Sequence, residues 1–489
     1  MKRRAFLNTL GGAALAAGAA KLSPKKADPM PDTMTVAGVG DMIVSRKVSK
    51  RKEPAFLDLV ELIRSADCAW GNCEMTLIDI QKGYPGDKGF DMHVTCEPWG
   101  ADELAWFGVD FVGIANNHMM DYGNEGLFST IENLKRVGIE YAGGGRDLQE
   151  ASRPRYVDTP GGRVGQVCCT SSALQWFSAA PSSPYTNGRP GINRLRYDNE
   201  IMLESETYET FRGIIRRVYA MMAGRSYEEI EQMMERDAER RKKREAVQKP
   251  AKKRKETITF GQSRFIKGEE WGILNKANEK DVKRITEALA IARNNARIVI
   301  QSIHAHELDR NIEIPAKFIQ PFAQACIDAG ADVFFGTGPH LLRGIEIYKG
   351  KPIFYSLGNL FFQYGAVKQL AFDTLEAAGL EGDSLDPSQF YARYDRFFKQ
   401  KKYWESIVPF ITYEKGHVAE IRLYPIELGW KEPSYQKGTP MLAGKEQGEK
   451  IIQRLVKLSE PYNTNISCRD GVGFVNLEPD SVPIKKGQG

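Results

Sequence analysis

The 489-residue sequence lacks several features that would quickly assign it to a functional class. No run of eighteen or more uncharged apolar residues occurs, which argues against a polytopic membrane protein. Neither a P-loop nor a dinucleotide-binding glycine pattern is present. No Gly-x-Ser-x-Gly turn surrounds Ser302 or Ser356, which disfavours a serine hydrolase. The formal net charge of +5 is small for this length and indicates no nucleic-acid partner by itself.

Cysteine is also scarce, with seven residues in an odd count. Cys168 and Cys169 are adjacent within an apolar run at residues 164–169, which predicts buried thiols rather than a disulfide or a metal pair. The hydrophobic content of 42% is ordinary for a globular protein. Together with the length, it favours one large decorated domain.

Only six histidines are present, and four of them follow apolar runs that predict buried strands. Residues 111–115 lead into Asn116, Asn117 and His118, residues 298–303 into His304, His306 and Glu307, and residues 333–335 into Gly336, Gly338 and His340. Two further runs deliver acids, because residues 35–39 lead into Asp41 and residues 67–73 into Glu74. Since loops converge at the carboxyl ends of strands in α/β sheets, we expect a common site there. Carboxylate, amide and imidazole ligands without cysteine suit Mn, Fe or Zn.

Six segments in a fixed order carry a family resemblance: GDMIVSR, WGNCE, ANNHMMDYG, SIHAHE, GTGPHLLRGIEIYKGKPIFYSLGNLFF and RLVKLSEPYNT. They resemble the CapA family, which is linked to poly-γ-glutamate capsule synthesis and whose domain resembles the calcineurin-like metallophosphatases. The resemblance covers most of the chain. It implies an α/β fold of the four-layer α/β/β/α metallophosphatase-like type, with charged helical insertions.

The resemblance also implies a site for a divalent metal, with two ions (Mn, Fe or Zn) expected. Its implied ligands are Asp41, Glu74, Asn117, His304 and His340. His118 is implied either as a ligand or as the acid that protonates a leaving group. Asp121 either accepts a hydrogen bond from the His118 ring and fixes its tautomer or is a plain turn residue. Asn116, Glu307, Thr337, Ser356 and Asn359 are predicted to lie in the surrounding loops.

One position departs from the family pattern, because Thr337 stands where the last loop, Gly-His-x-Pro-His, usually has its first histidine. A threonine hydroxyl is a poor transition-metal ligand beside imidazole. We therefore hypothesise that His306 substitutes for the missing histidine. It lies two residues after His304, so both side chains would point the same way on an extended segment. Glu307 could add an oxygen if the chain turns there.

The remaining sequence divides into an export signal, one domain and two insertions. Residues 1–20 read as a twin-arginine signal, with Arg3 and Arg4 ahead of Phe6 and Leu7, and residues 21–33 as a flexible lead-in. The domain is predicted over residues 34–480, with a basic helical insertion at about 195–272 and a variable stretch at about 365–404. Residues 235–255 hold 11 Lys/Arg against 4 Asp/Glu. This run is either a solvated insertion or a contact for a polyanion or anionic membrane, without the aromatic interleaving of nucleic-acid sites.

Three functions fit these observations. The first is a metal-dependent hydrolase that acts on a phosphoester, or on an amide of a cell-envelope polymer. The second is a non-catalytic accessory factor for synthesis or export of an anionic polymer such as poly-γ-glutamate, within a capsule synthesis complex. The third, a purely structural envelope-binding protein, leaves the four strand-end histidines unexplained. The export signal predicts a periplasmic or envelope location, and because an exported protein meets little nucleic acid, no nucleic-acid partner is expected.

Overall fold

The computed structural model describes residues 31–88, 91–245, 257–261, 263–366, 370–380, 387–433 and 436–477. The description below concerns the compact unit that begins at Asp32. The predicted signal at 1–20 lies outside the described residues. So do residues 21–30 of the lead-in, residues 246–256 and 262 of the basic insertion, residues 367–369 and 381–386 of the variable stretch, and residues 478–480. Within the described ranges, no helix is both long enough and apolar enough to cross a bilayer.

The strands in chain order are β1 Thr33–Ile43, β2 Cys68–Cys73, β3 Thr76–Leu77, β4 Thr95–Cys96, β5 Phe111–Gly113, β6 Glu140–Ala142, β7 Gly144–Gly145, β8 Arg155–Thr159, β9 Gly162–Thr170, β10 Gly191–Ile192, β11 Tyr197–Glu204, β12 Thr257–Phe260, β13 Ser263–Gly268, β14 Gly272–Ala277, β15 Ile298–His304, β16 Leu308–Asp309, β17 Asn311–Pro315, β18 Val333–Thr337, β19 Ile345–Tyr348, β20 Lys351–Phe354, β21 Asn359–Phe362, β22 Glu405–Glu414, β23 His417–Glu427, β24 Met441–Leu442, β25 Ile466–Arg469 and β26 Val472–Val475. The helices are α1 Pro54–Ser65, α2 Trp99–Phe107, α3 Gly123–Val137, α4 Leu148–Ser152, α5 Ser205–Met222, α6 Tyr227–Glu245, α7 Glu279–Asn295, α8 Ile319–Asp328, α9 Phe372–Ala377, α10 Pro387–Tyr394 and α11 Lys445–Ser459.

Two large sheets form the centre of the described unit. The first has the order β25-β26-β23-β22-β1-β2-β5-β6, with β21 also paired to β1 and β24 to β23. The second has the order β19-β20-β18-β15-β9-β8. Strands β1, β2, β5 and β6 are parallel, as are β9, β15, β18 and β20. The carboxyl ends of each parallel set therefore share one edge.

The two sheets pack face to face, with helices on their outer faces. The rings of Trp70 (β2) and Phe335 (β18) stack between the sheets at 4.9 Å. Because successive strand residues face opposite ways, Phe334 lies on the outer face of the second sheet, in the core formed with α7 and α8. Phe56 and Phe107, from α1 and α2, pack in the core of the first sheet. The predicted four-layer α/β/β/α sandwich is thereby confirmed.

The insertion near residues 195–272 is more than a helical segment. Besides α5 and α6 it contains a four-stranded sheet of order β12-β13-β11-β14, whose last strand runs to Ala277. Leu203, Tyr208, Ile215 and Ile258 form a small core of their own there. The strands were missed because their apolar residues are few and α6 dominates the local composition. The lead-in also ends earlier than predicted, since Thr33 already belongs to β1.

All seven cysteines are free thiols, and Cys168 and Cys169 are buried as predicted. Burial raises the pKa of both thiols above the usual value. Both side chains therefore pack as small apolar groups within β9.

Candidate metal centre

The carboxyl ends of the parallel strands bring the predicted ligand residues together. Asp41 lies near the end of β1, Glu74 follows β2, and His118 follows β5. From the second sheet, His304 ends β15 and His340 follows β18. Asp41 pairs in register with Asn72 and with Asn359, and His304 pairs with Thr337. The residues converge because both sheets present the same ends to one edge.

A close backbone approach sets the position of Asp41. The pairing of β1 with β2 shifts register between Gly38 and Asp41, an irregularity common next to active sites. A side chain at Gly40 would lie 1.9 Å from the carbonyl oxygen of Gly358, so only glycine fits there. The Asp41 amide donates to that same carbonyl at 2.9 Å. The tight loop therefore aims the Asp41 carboxylate into the centre.

The Asp41 carboxylate is fully buried and well supplied with donors. Its Oδ1 accepts from Asn72 Nδ2 at 2.7 Å, and its Oδ2 accepts from the Gly338 amide at 3.0 Å. Burial alone would raise the pKa of Asp41. Hydrogen bonding to His304 and the charges of His304 and His340 outweigh it, so that the pKa falls to about 2. The Asp41 carboxylate is therefore ionised at neutral pH.

Glu74 is the least satisfied group in the described part of the chain that forms this centre. Its side chain is fully buried, and neither carboxylate oxygen accepts a hydrogen bond from a described residue. His304 Nε2 lies 3.3 Å from its Oε1, and His340 Nδ1 lies 3.8 Å from its Oε2. Burial and the charge of Asp41 raise the pKa of Glu74 well above its usual value. A buried carboxylate without donors is costly, and a bound cation would relieve that cost.

Two groups of ligand-type atoms share Glu74. Site A consists of Asp41, Glu74 and His304, and site B of Glu74, His306 and His340; within each site one atom per residue lies within 4.8 Å of the others. Carboxylate and imidazole donors without thiolate suit Mn, Fe or Zn. The donor set and the unsatisfied Glu74 oxygens thus fit divalent-cation binding at these two groups of residues.

His306 points into this centre, as the compensation hypothesis requires. Its Nε2 lies 3.0 Å from His304 Nε2. Thr337, at the position of the missing histidine, has its Oγ1 3.1 Å from His304 Nδ1. Burial lowers the pKa of His306 well below its usual value, so the ring is neutral and able to ligate. His306 therefore lies beside His304 of site A while it belongs to site B.

His340 is held in an unusual backbone conformation. Its φ of 58° and the φ of 120° at Gly338 lie in the left-handed region, which a non-glycine residue adopts only where its surroundings enforce it. Its Nδ1 lies 2.9 Å from Asn359 Oδ1, and Asn359 Nδ2 donates to the His340 carbonyl at 3.1 Å. Burial lowers the pKa of His340 to about 4, so it too is neutral. Asn359 thereby fixes both the ring and the turn that carries it.

Asn116 and Asn117, which follow β5, make different contacts. Asn116 Nδ2 donates to the Cys73 carbonyl at 2.8 Å, and its Oδ1 accepts from the His118 amide at 3.1 Å. It therefore ties the β5 loop to the end of β2. Asn117 Oδ1 is buried without a described hydrogen-bond donor, which suits a neutral oxygen ligand.

His118 belongs to a buried charged cluster with Asp121 and Lys88. Its Nδ1 lies 2.8 Å from Asp121 Oδ2, while Lys88 Nζ lies 2.8 Å from Asp121 Oδ1 and 3.0 Å from Asp91 Oδ2. Burial would raise the pKa of Asp121, but Lys88 and His118 lower it, so the carboxylate is ionised and can only accept. Lys88 Nζ also lies 3.2 Å from His118 Nδ1, so this nitrogen faces both the ammonium and the Asp121 carboxylate. With Nδ1 held there, Nε2 is the nitrogen available for chemistry.

Glu307 and Ser356 lie in the surrounding loops and belong to neither site A nor site B. The Glu307 carboxylate accepts from Ser171 Oγ at 2.6 Å and from Ser172 Oγ at 2.9 Å, so it anchors its own loop instead of adding a metal oxygen. Ser172 Oγ in turn accepts from the His306 amide at 2.6 Å. Ser356 Oγ donates to the Leu341 carbonyl at 2.6 Å, which stabilises the turn before Asn359.

Lys88, Asp91 and the walls of the adjoining cavity were missed by the sequence analysis. Lys88 and Asp91 lie in an irregular loop, where no strand or helix period marks a position as buried. The cavity has a volume of about 630 Å³ and is lined by both residues, His118, His306 and His340. The variable stretch supplies further lining residues, among them Phe398.

Comparison with known proteins places these features in context. The family described as "Bacterial capsule synthesis protein PGA_cap" matches residues 35–364. "Uncharacterized protein y4sH" of Sinorhizobium fredii (strain NBRC 101917 / NGR234) is 33% identical over 461 residues, covering 91% of this chain and 94% of its own. "Capsule biosynthesis protein CapA" of Bacillus anthracis is 23% identical over 341 residues, covering 68% and 61%. A solved putative 5'-nucleotidase from Staphylococcus aureus aligns at 8% identity with a TM-score of 0.32, covering 87% of this chain and 58% of its own.

Proposed function

Because the chain belongs to the bacterial capsule synthesis protein family PGA_cap, we propose that it is a metal-dependent hydrolase of the phosphoesterase type, acting in cell-envelope or capsule polymer metabolism. The observation that carries the proposal is Glu74, a fully buried carboxylate without a described donor, shared by sites A and B. A purely structural protein has no use for such a group, because it destabilises the fold without a cation.

The residues of this centre would have separate roles in hydrolysis. Asp41, Glu74, Asn117 and the three histidines of sites A and B would hold the cations. Bound there, two divalent cations supply Lewis acidity and an activated water at neutral pH. No covalent nucleophile is needed.

His118 is the proton donor in this proposal. Asp121, ionised by its pairing with Lys88, stabilises the protonated ring from the Nδ1 side. Nε2 then delivers its proton to the departing oxygen of the substrate. Lys88 pairs with Asp121 and Asp91 and so holds the Asp121 carboxylate in place beside His118.

A second candidate, the accessory factor, is favoured by one observation. Thr337 replaces an expected ligand, and a site with fewer nitrogen ligands could bind one cation or none.

We also propose that the protein is exported by the twin-arginine route to the periplasm or envelope, on the pattern of Arg3 and Arg4. There it would act beside other capsule synthesis proteins.

The test is hydrolysis of p-nitrophenyl phosphate and bis(p-nitrophenyl) phosphate by protein loaded with Mn, Fe or Zn. His118→Asn should lower kcat by roughly a hundredfold, the usual scale for losing a general acid, and leave metal content unchanged. The matched control is His417→Asn at the exposed start of β23, which should change neither.

Three results would contradict this account. No hydrolysis by any metal-loaded form would favour the accessory role. Loss of metal from His118→Asn would make His118 a ligand. Unchanged kcat in that variant would remove it from the reaction.

A further inference from the structure

The cavity beside sites A and B has one wall that is unusually apolar for a site expected to meet anions. Tyr394, Phe397, Phe398 and Tyr403, all from the variable stretch or its end, line it. Leu174 lines it from the loop after β9. Phe397 is 59% exposed and Leu174 is 43% exposed. Large apolar side chains left accessible around a cavity mark a surface that binds apolar groups.

This wall is continuous with the metal centre. The ring of Phe398 meets the ring of His340 edge-on at 5.8 Å, and the His340 ring also stacks on Phe362 at 4.9 Å. Phe362 and Phe398 pack at 4.8 Å. A group lying against Phe398 would therefore have its reacting atoms beside site B.

Positive charge is nearly missing from the same cavity. Of its described lining residues, Lys88 is the one lysine or arginine, and its side chain is 1% exposed; the His118 ring, protonated in the proposed function, is already paired with Asp121. Asp91 and Asp121 both pair with it, at 3.0 Å and 2.8 Å. Asp91 itself lines the cavity and adds negative charge. Apart from metal ions bound at sites A and B, no described group in this cavity is available to pair with the charges of a polyanionic chain.

We infer that the site takes a phosphoester whose other part is an uncharged aromatic or apolar group, bound against Phe397 and Phe398, and not a polyanionic chain. This inference rests on the proposed function and names its substrate class. Hydrolysis breaks the phosphorus–oxygen bond, water supplies the oxygen added to phosphorus, and His118 returns a proton to the aryl or alkyl oxygen. The apolar wall binds the leaving group and excludes water from it.

A binding measurement tests this inference independently of catalysis. Phenylphosphonate and methylphosphonate share the charged group and differ in the apolar part, and calorimetry with metal-loaded protein compares their Kd values. Phenylphosphonate should bind about tenfold more tightly or better, as expected for burying a ring. Phe397→Ala should reduce that ratio by about threefold or more. The matched control is Phe372→Ala on α9, a phenylalanine of the same variable stretch that is 60% exposed and does not line the cavity.

Each outcome decides the question. Equal affinity for the two phosphonates overturns the inference, as does displacement of bound phenylphosphonate by poly-γ-glutamate, which would show a polyanion site. If the ratio of the two Kd values is unchanged in Phe397→Ala, the phenyl group does not bind against this wall, and the assignment is overturned. Hydrolysis without any phenyl preference leaves the proposed function standing and removes this inference alone. If neither phosphonate binds and no ester is hydrolysed, both fail.

Discussion

Glu74→Gln should stabilise the metal-free protein and weaken its response to metal. Glutamine keeps the size of the side chain and removes its charge. In the metal-free state the wild-type carboxylate is buried without a described donor and faces the charge of Asp41. Leaving a buried polar group unsatisfied costs about 1–3 kcal/mol and leaving a charged one unsatisfied costs more, so replacing the charge with an amide should gain on the order of 1–3 kcal/mol.

The pH dependence has a definite sign. Because the folded pKa of Glu74 is raised, its stability contribution is present at low pH and is lost as pH rises through that pKa. The metal-free Glu74→Gln variant has no carboxyl group at this position and therefore does not lose this stability as the pH rises. The stability difference between the variant and the wild type should therefore grow with rising pH.

These energies translate into measurable melting temperatures. An unfolding entropy of about 2.1 cal/mol/K per residue over about 450 residues makes 1 kcal/mol equal to about 1 °C in Tm. Without metal, Glu74→Gln should melt about 1–3 °C above the wild type. Each cation at about 100 times its Kd adds about 2.7 kcal/mol, so two add about 5 kcal/mol, or about 6 °C, to the wild type. A variant whose affinity for each cation is about 100-fold lower gains about 0.4 kcal/mol per cation, about 1 °C in all.

The assay is differential scanning calorimetry of chelated and Mn-, Fe- or Zn-loaded protein. Glu346→Gln is the matched control, because Glu346 is also buried but is hydrogen-bonded by Tyr355, Gln320 and Gln324. It should lower the metal-free Tm and leave the metal-induced rise unchanged. A metal-free Glu74→Gln that is less stable than the wild type, with a full rise in Tm on adding metal, would show that Glu74 is neither a destabilising buried charge nor a metal ligand.

Two other predictions concern proton transfer and export. Asp121→Asn should lower kcat about tenfold to a hundredfold with metal content unchanged, because Oδ2 no longer stabilises the protonated His118 ring; kinetics with metal analysis checks it, and an unaltered kcat contradicts it. Replacing Arg3 and Arg4 with lysine should leave precursor in the cytoplasm, as fractionation and immunoblotting would show; mature protein still arriving outside the cytoplasm would remove the twin-arginine assignment.

The fold was predictable where strands are uniformly buried. Residues 333–335 are all apolar, and residues 298–303 are apolar except for Gln301 and Ser302, because both faces of β15 and β18 are buried. Such runs, followed at once by ligand-type residues, locate the site edge. Residues on strand ends, such as Asp41 and His304, could therefore be placed from sequence. The metal-binding roles of these residues remain predictions.

The loops were not predictable, because their contacts come from distant parts of the chain. Lys88 forms an ion pair with Asp121, which lies far from it in the sequence, and no hydrophobic periodicity around either residue indicates that pairing. Phe398 reaches His340 only because the variable stretch folds back over the site. The orientation of Glu307 depends on Ser171 and Ser172 at the end of another strand. Tertiary contacts of this kind leave no pattern in a single sequence.

We propose that the centre binds two divalent cations and that His306 takes the place of the histidine missing at position 337. The most direct measurement is the number of metal equivalents per chain, obtained by equilibrium dialysis and elemental analysis of the wild type and of His306→Ala. We predict two equivalents in the wild type and about one in the variant, since site A keeps Asp41, Glu74 and His304. One or no equivalent in the wild type, or two in His306→Ala, would contradict the account.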